Sequence, residues 1–201
     1  MPSFTELDLV LRTPRLVLAP VAPADAVDMW PYVSDPKLPR FMIWEAHRDR
    51  GETAAFIDRQ GVQLAEGTSI TWALRENGAL CGLMGLHGIL RILGAWRVDR
   101  AELGYWLAPP FHGRGLATEA GGAVLAFAYG PLGLHKVTVG CITENEASRR
   151  VIEKLGFRLL GEQREHMHRH GRWWGHLTYE MLVGDWRAMQ SAGSPATLPD
   201  R

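Results

Sequence analysis

"PPFHGRGLATEA", residues 109–120, decides how this chain is read. Two prolines close a strand-like run, "RAELGYWLA" (100–108), and two glycines flanking an arginine lead into "LATEAGGAVLAFAYGPLG" (116–133), a small-residue helix. The first N–H groups of a helix have no intrahelical acceptor, and the aligned peptide dipoles put partial positive charge there. Glycine lets that backbone approach a ligand without a Cβ in the way. "HGRGLAT" is therefore built as an anion cradle, to which Arg114 can add a charge-assisted hydrogen bond. Two phosphate-binding patterns do not apply. No Lys-Ser or Lys-Thr follows, as a Walker A loop requires, and Thr118 stands where a dinucleotide fingerprint has its third glycine. Taken alone, the stretch also fits a plain glycine turn before a helix.

Upstream, "RLVLAP" (15–20) reads as a strand, and residues 22–35 and 50–67 read as helices, the second closed by Gly67. The period then changes to two: "TSITWALRENGALCGLMGLHGI" (68–89) is a hairpin around Asn77-Gly78. A looser stretch, "LRILGAWRVD", leads to the strand 100–108. Downstream, 135–143 is a strand, 145–156 a helix ended by Gly156, and two further strands flank His170-Gly171. The fold class expected is α/β (α+β): a mixed, mostly antiparallel seven-stranded sheet with about four helices on its faces. Only the middle strand–helix–strand crossover demands a parallel pair. One domain, 1–188, and a flexible tail, 189–201, account for the chain.

The 201 residues carry 22 basic and 22 acidic side chains, so a general polyanion binder is disfavoured and no nucleic acid is expected. No run of about 18 apolar residues occurs and no signal-peptide pattern opens the chain. Cys81 and Cys141 sit in apolar, strand-like surroundings as buried, reduced thiols. A cytoplasmic protein is expected. His166, His168 and His170 alternate, so a strand would turn them one way, yet no second ligand cluster supports a metal and none is expected.

"ELGYWLAPPFHGRGLATEA" followed by "NEASRRVIEKLGF" resembles the GCN5-related N-acetyltransferase (GNAT) superfamily, within it the RimJ/RimL-like branch of ribosomal-protein N-terminal acetyltransferases. The pyrophosphate motif falls on His112, Gly113, Arg114, Gly115, Leu116 and Ala117. The second signature falls on Asn145, Ser148, Glu153, Lys154, Gly156 and Phe157. The opening "LRTPRLVL" also looks like this branch, and the element order agrees over roughly residues 9 to 186. The resemblance implies acetyl-CoA as donor. It implies a splay between strands 100–108 and 135–143 that admits the pantetheine arm, with backbone groups of Trp106 and Leu107 pairing to its amides. N–H groups of 113 to 118, Thr118 included, would hold the pyrophosphate.

Acetyl transfer needs a neutral amine, a stabilised oxyanion and a proton for the departing thiolate. Glu102, where this branch often has a glutamate, is the candidate base; a surface carboxylate paired with Arg100 is the alternative. Many superfamily members place a tyrosine where this chain has Ile152, which cannot donate a proton. Ser148 is the substitute the branch pattern offers, unless it only bonds back to its own helix. Asn145 caps that helix and contacts pantetheine. The role of His112, which departs from the motif's Gln/Arg, stays open. A peptide α-amine with pKa near 8 is about one-tenth neutral at pH 7, against about one part in two thousand for lysine. One carboxylate suits the α-amine, and a protein N-terminus leads as acceptor. Small-molecule amines, a non-catalytic acyl-CoA sensor and a nucleotide-binding scaffold are the rival readings, and a homodimer is left open.

Overall fold

The computed structural model describes residues 4–193. Eight strands form one sheet: β1 (Leu11–Arg12), β2 (Leu16–Pro20), β3 (Ile70–Glu76), β4 (Ala79–Leu93), β5 (Trp96–Leu107), β6 (Lys136–Ile142), β7 (Arg158–Arg169) and β8 (Arg172–Leu182). Their spatial order is β1-β2-β3-β4-β5-β6-β8-β7. Five α-helices cover it: α1 (Ala26–Val33), α2 (Arg50–Ala65), α3 (Leu116–Tyr129), α4 (Glu146–Lys154) and α5 (Val183–Gly193).

The hairpins follow from local chemistry. Asn77 and Gly78 both take positive φ, 49° and 85°, as a type I′ turn requires, and Glu76 faces Ala79 across it. His170 and Gly171 do the same between β7 and β8. β5 and β6 are the parallel pair, because the chain between them runs back along α3.

The expected architecture holds with three differences. The sheet has eight strands rather than seven, since two-residue β1 is too short to show a period. The stretch read as loose, 90–99, is the far end of a long hairpin turning at Gly94-Ala95, with Leu93 opposite Trp96. It projects beyond the core, leaving Ile92, Leu93 and Trp96 exposed, so the in–out alternation that marks a half-buried strand is missing. Among the described residues there are five α-helices against the about four expected: α5 runs through Gly193, so the first residues of the expected tail are helical. Trp186 of α5 packs on Tyr129, with ring centroids 5.6 Å apart. Residues 194–201 lie outside the described residues.

The sheet faces have separate cores. On one, Ala73, Leu83 and Trp106 pack against Met29 and Val33 of α1 and Ile57 of α2. On the other, Trp72, Met84, Leu103 and Val139 pack against Leu116, Val124 and Phe127 of α3 and Ile152 of α4. Trp72, fully buried, meets Phe127 edge-on at 5.5 Å and donates its indole N–H to Leu9 O at 2.7 Å. Trp72→Ala in such a site costs about 3–5 kcal/mol.

Candidate active site

The parallel pairing of β5 and β6 covers four rungs only, from Arg100↔Lys136 to Leu103↔Val139. Beyond Leu103, β5 continues to Leu107 paired with β4 alone, and beyond Val139, β6 continues to Ile142 paired with β8 alone. The sheet therefore forks. Main-chain direction alternates along β5. Ala108 N–H donates to Cys81 O at 2.7 Å, and the carbonyl of Trp106 lies against Gly82. Trp106 thus turns its main chain to β4, and Leu107, out of phase, turns its own to the fork. His112 Nε2 donates to the Leu107 carbonyl at 2.7 Å, fixing the imidazole beside the gap.

A cavity of about 500 Å³ opens at the fork. Of the site residues expected from sequence, Trp106, Leu107, His112, Gly113, Gly115, Leu116, Ala117, Thr118, Asn145 and Ser148 line it. Its floor is the glycine loop. Gly113 has φ 71° and Gly115, at the N-cap of α3, has φ 78°, a region that costs an ordinary residue about 1–2 kcal/mol. His112 N–H donates back to Pro109 O and Glu119 N–H to Gly115 O. Between them, among the described residues, the N–H groups of 113 to 118 donate to no main-chain carbonyl.

Arg114 is in the loop, but its guanidinium turns away to Glu76 at 2.8 Å. Its carbonyl accepts from Arg15 Nη1 at 2.9 Å. Arg15 also bonds Glu119 through Nε at 2.6 Å and through its main-chain N–H at 2.9 Å, so it ties the loop to the first turn of α3. The sequence marked Arg15 only as part of "LRTPRLVL".

Asn145 caps α4, its Oδ1 accepting from Ser148 N–H at 3.1 Å. The Ser148 hydroxyl meets Tyr105 Oη at 2.8 Å, and Tyr105 Oη also donates to Ser148 O at 3.2 Å. Burial pushes the Tyr105 phenol up to about 12, a rise that the Ser148 bond partly offsets, so it stays a proton donor. Ile152 is fully buried in the core. Tyr105 thus brings a phenol hydroxyl from β5 to the cavity wall beside Ser148, while position 152 carries none. No periodicity marks Tyr105 for this, because the pairing crosses 43 residues.

Glu102 does not line the cavity. It is exposed on β5, one rung before the end of the parallel pairing, opposite Thr138 on β6 and His87 on β4. The three histidines of "HMHRH" part company, because a bulge with Glu165 at φ 48° breaks β7. His166 stacks on His176 at 5.4 Å, His168 packs on Trp173 at 5.1 Å, and His170 sits in the turn. Among the described residues no three His, Cys, Asp or Glu side chains gather as a metal site. Cys81 and Cys141 are buried and free, and burial pushes both thiols up.

The 37–42 turn lines the cavity opposite the glycine loop with Lys37, Leu38, Arg40, Phe41 and Met42. Arg169, at the end of β7, pins this turn by donating to Pro39 O at 2.6 Å, to Met42 O and to Trp44 O at 3.0 Å.

Residues 15–158 match the family model described as "Acetyltransferase (GNAT) domain". The chain is 28% identical over 164 residues to the uncharacterized N-acetyltransferase YoaA of Bacillus subtilis (strain 168), covering 81% of this chain and 90% of that protein. It is 32% identical over 124 residues to YdaF of the same organism, named as a candidate ribosomal N-acetyltransferase, covering 62% of this chain and 65% of that protein. In structure it is similar to RimL, the ribosomal L7/L12 alpha-N-protein acetyltransferase, solved in complex with coenzyme A. The TM-score is 0.80 and the identity 16%, over 88% of this chain and 98% of that one. A forked sheet beside an open glycine loop, matched along most of the chain by one family, leaves a plain conclusion: this chain belongs to the GNAT acetyltransferase family and is an N-acetyltransferase that takes its acetyl group from acetyl-CoA.

Proposed function

We propose that this enzyme acetylates the N-terminal α-amine of a protein or peptide in the cytoplasm. The observation that carries the acceptor class is the sign of the cavity wall. Lys37 and Arg40 of the 37–42 turn line it and no Asp or Glu does, so a polycationic acceptor such as a polyamine or aminoglycoside meets like charge. A chain end with one amine of pKa near 8 does not have to bring further cations in. RimL and YdaF, named for ribosomal N-acetylation, support the same acceptor.

In this reading the N–H groups of 113 to 118 hold the diphosphate. Leu107 and Asn145 bond the pantetheine amides, while Trp106 walls the arm with its indole. The thioester sits in the fork. Glu102 draws the acceptor's ammonium to the α1–α2 face, and the Ser148 hydroxyl, backed by Tyr105, returns a proton to the departing thiolate on the α3–α4 face.

An acceptor panel with acetyl-CoA tests this, read by thiol release and mass change. Peptides with a free N-terminus should turn over. The same peptides with a blocked N-terminus and one lysine should be at least about 100-fold slower, in line with the difference in neutral amine. Faster turnover of polyamines or aminoglycosides than of any peptide overturns the acceptor assignment.

A further inference from the structure

We propose that His87 is a catalytic residue: its Nε2 takes a proton from the acceptor's ammonium, so that the freed amine can attack the thioester. The inference rests on the amine-acetylating reading above and deepens it. It starts from two glycines. Gly104 on β5 and Gly140 on β6 are the first residues past the last parallel rung, Leu103↔Val139, and so form the crotch of the fork. Each is overlain by an imidazole on the face away from α3 and α4. A Cβ on Gly104 would stand 3.0 Å from His87 Cδ2 and 3.2 Å from its Nε2. A Cβ on Gly140 would stand 2.5 Å from His176 Nε2. Glycine at both positions is what lets two rings lie flat against the point where the strands part.

Of the two, His87 is anchored through Nδ1. Ser69 Oγ lies 3.1 Å from Leu86 O, which can only accept, and 2.8 Å from His87 Nδ1. With the hydroxyl proton on that carbonyl, Nδ1 carries the ring hydrogen and Nε2, beside Gly104, presents a lone pair, the tautomer the proposal requires. Burial also holds the ring's pKa below its ordinary value, so the base is neutral at pH 7. The ionisable group facing it is Glu102 across the ladder on β5; His176 on β8, with His166 stacked on it from β7, lies over the other glycine, Gly140. The segment leading into β3 presents Ser69, which carries no charge. His176 lacks an equivalent anchor, its Nδ1 lying 3.5 Å from Thr178 Oγ1.

The step balances without a further reagent. The acceptor's ammonium gives one proton to Nε2, and the neutral nitrogen forms a bond to the thioester carbonyl carbon. The carbonyl pair moves to oxygen and returns as the C–S bond breaks, and sulfur leaves with that bonding pair. The second proton shed by nitrogen passes through Ser148 or water to the thiolate, and imidazolium gives up its proton to solvent past Glu102.

The test is His87→Asn in the full chain. Asparagine can keep the donation to Ser69 but has nothing in the place of Nε2. The expected result is a fall in kcat of about 100-fold or more for a peptide α-amine, the size of a lost general base. The acid limb of the wild-type kcat profile, which lies below the ordinary imidazole range, should vanish. The defect should shrink to a few-fold with aminoacetonitrile, an amine already neutral at pH 7, a selectivity that a merely structural defect cannot give. Acetyl-CoA affinity and melting temperature of the variant are read alongside. Should the variant fold poorly, nitrogen NMR of wild-type His87 takes over, and a proton on Nε2 with none on Nδ1 overturns the proposal. Wild-type turnover of peptides with an unchanged limb in His87→Asn sinks this inference alone. No turnover of any amine by the wild type sinks the reading beneath it as well.

Discussion

The two faces of the fork between β5 and β6 are assembled on different length scales. The donor face is local: 112 to 118 supply the loop and 145 to 154 supply the α4 wall, two short runs of adjacent residues. The face proposed for the acceptor is collected from afar. His87 comes from β4, Glu102 from β5, His176 from β8, and the 37–42 turn is held by Arg169 from more than 120 residues downstream. Local construction leaves the donor face with only a few distant supports, Arg15 and Tyr105 among them. Distributed construction lets acceptor preference change without touching the grip on acetyl-CoA.

The largest effect expected on the donor face comes from Gly115→Val. A β-branched residue at φ 78° reshapes the loop and withdraws N–H donors, each charge-assisted bond carrying about 1.5–3 kcal/mol. Acetyl-CoA affinity, read by calorimetry, should fall about 100-fold while peptide KM stays within a few-fold. Equal losses on both substrates would break the comparison.

Next come Tyr105→Phe and Ser148→Ala. Each should lower kcat about 10- to 100-fold, no more than the low end of what a general acid contributes, because water can still protonate the thiolate. Because the hydroxyls act as one unit, the double variant should be scarcely slower than the worse single one. Additive losses would show that the two hydroxyls work separately.

Arg169→Ala should raise peptide KM about 10-fold and leave acetyl-CoA affinity unchanged. It removes donors to the carbonyls of Pro39, Met42 and Trp44 and so frees the acceptor-side turn. A change in acetyl-CoA affinity instead would place that turn on the donor side.

The smallest effect belongs to Arg15→Ala. Its pair with Glu119 is half exposed, so screening trims it to about 1 kcal/mol or less, seen as a few-fold loss of acetyl-CoA affinity.

The same difference in scale explains what could be read from the sequence. Gly113, Gly115, Asn145 and Ser148 declared themselves, because a helix start and a cap need particular residue types at fixed short spacings. The Asn77-Gly78 hairpin did so for the same reason. His87 did not, since "LHGI" looks like any strand, and what singles it out is Ser69 beneath it and Gly104 beside it. Tyr105 was silent because its partner is on α4, and β1 because two residues carry no period. Glu102 was legible as a strand carboxylate, while its position outside the cavity was settled only by the register of β5.

Leu107 shows one edge of its main chain to an opening where a neighbouring strand would otherwise lie. In the proposed binding mode a pantetheine arm laid there would complete the sheet, and the ligand would become part of what keeps the protein folded. At a hundredfold excess over Kd it adds about 2.7 kcal/mol, enough to slow amide exchange at Leu107 and to delay proteolysis. The lifetime of this enzyme would then rise and fall with the acetyl-CoA supply around it.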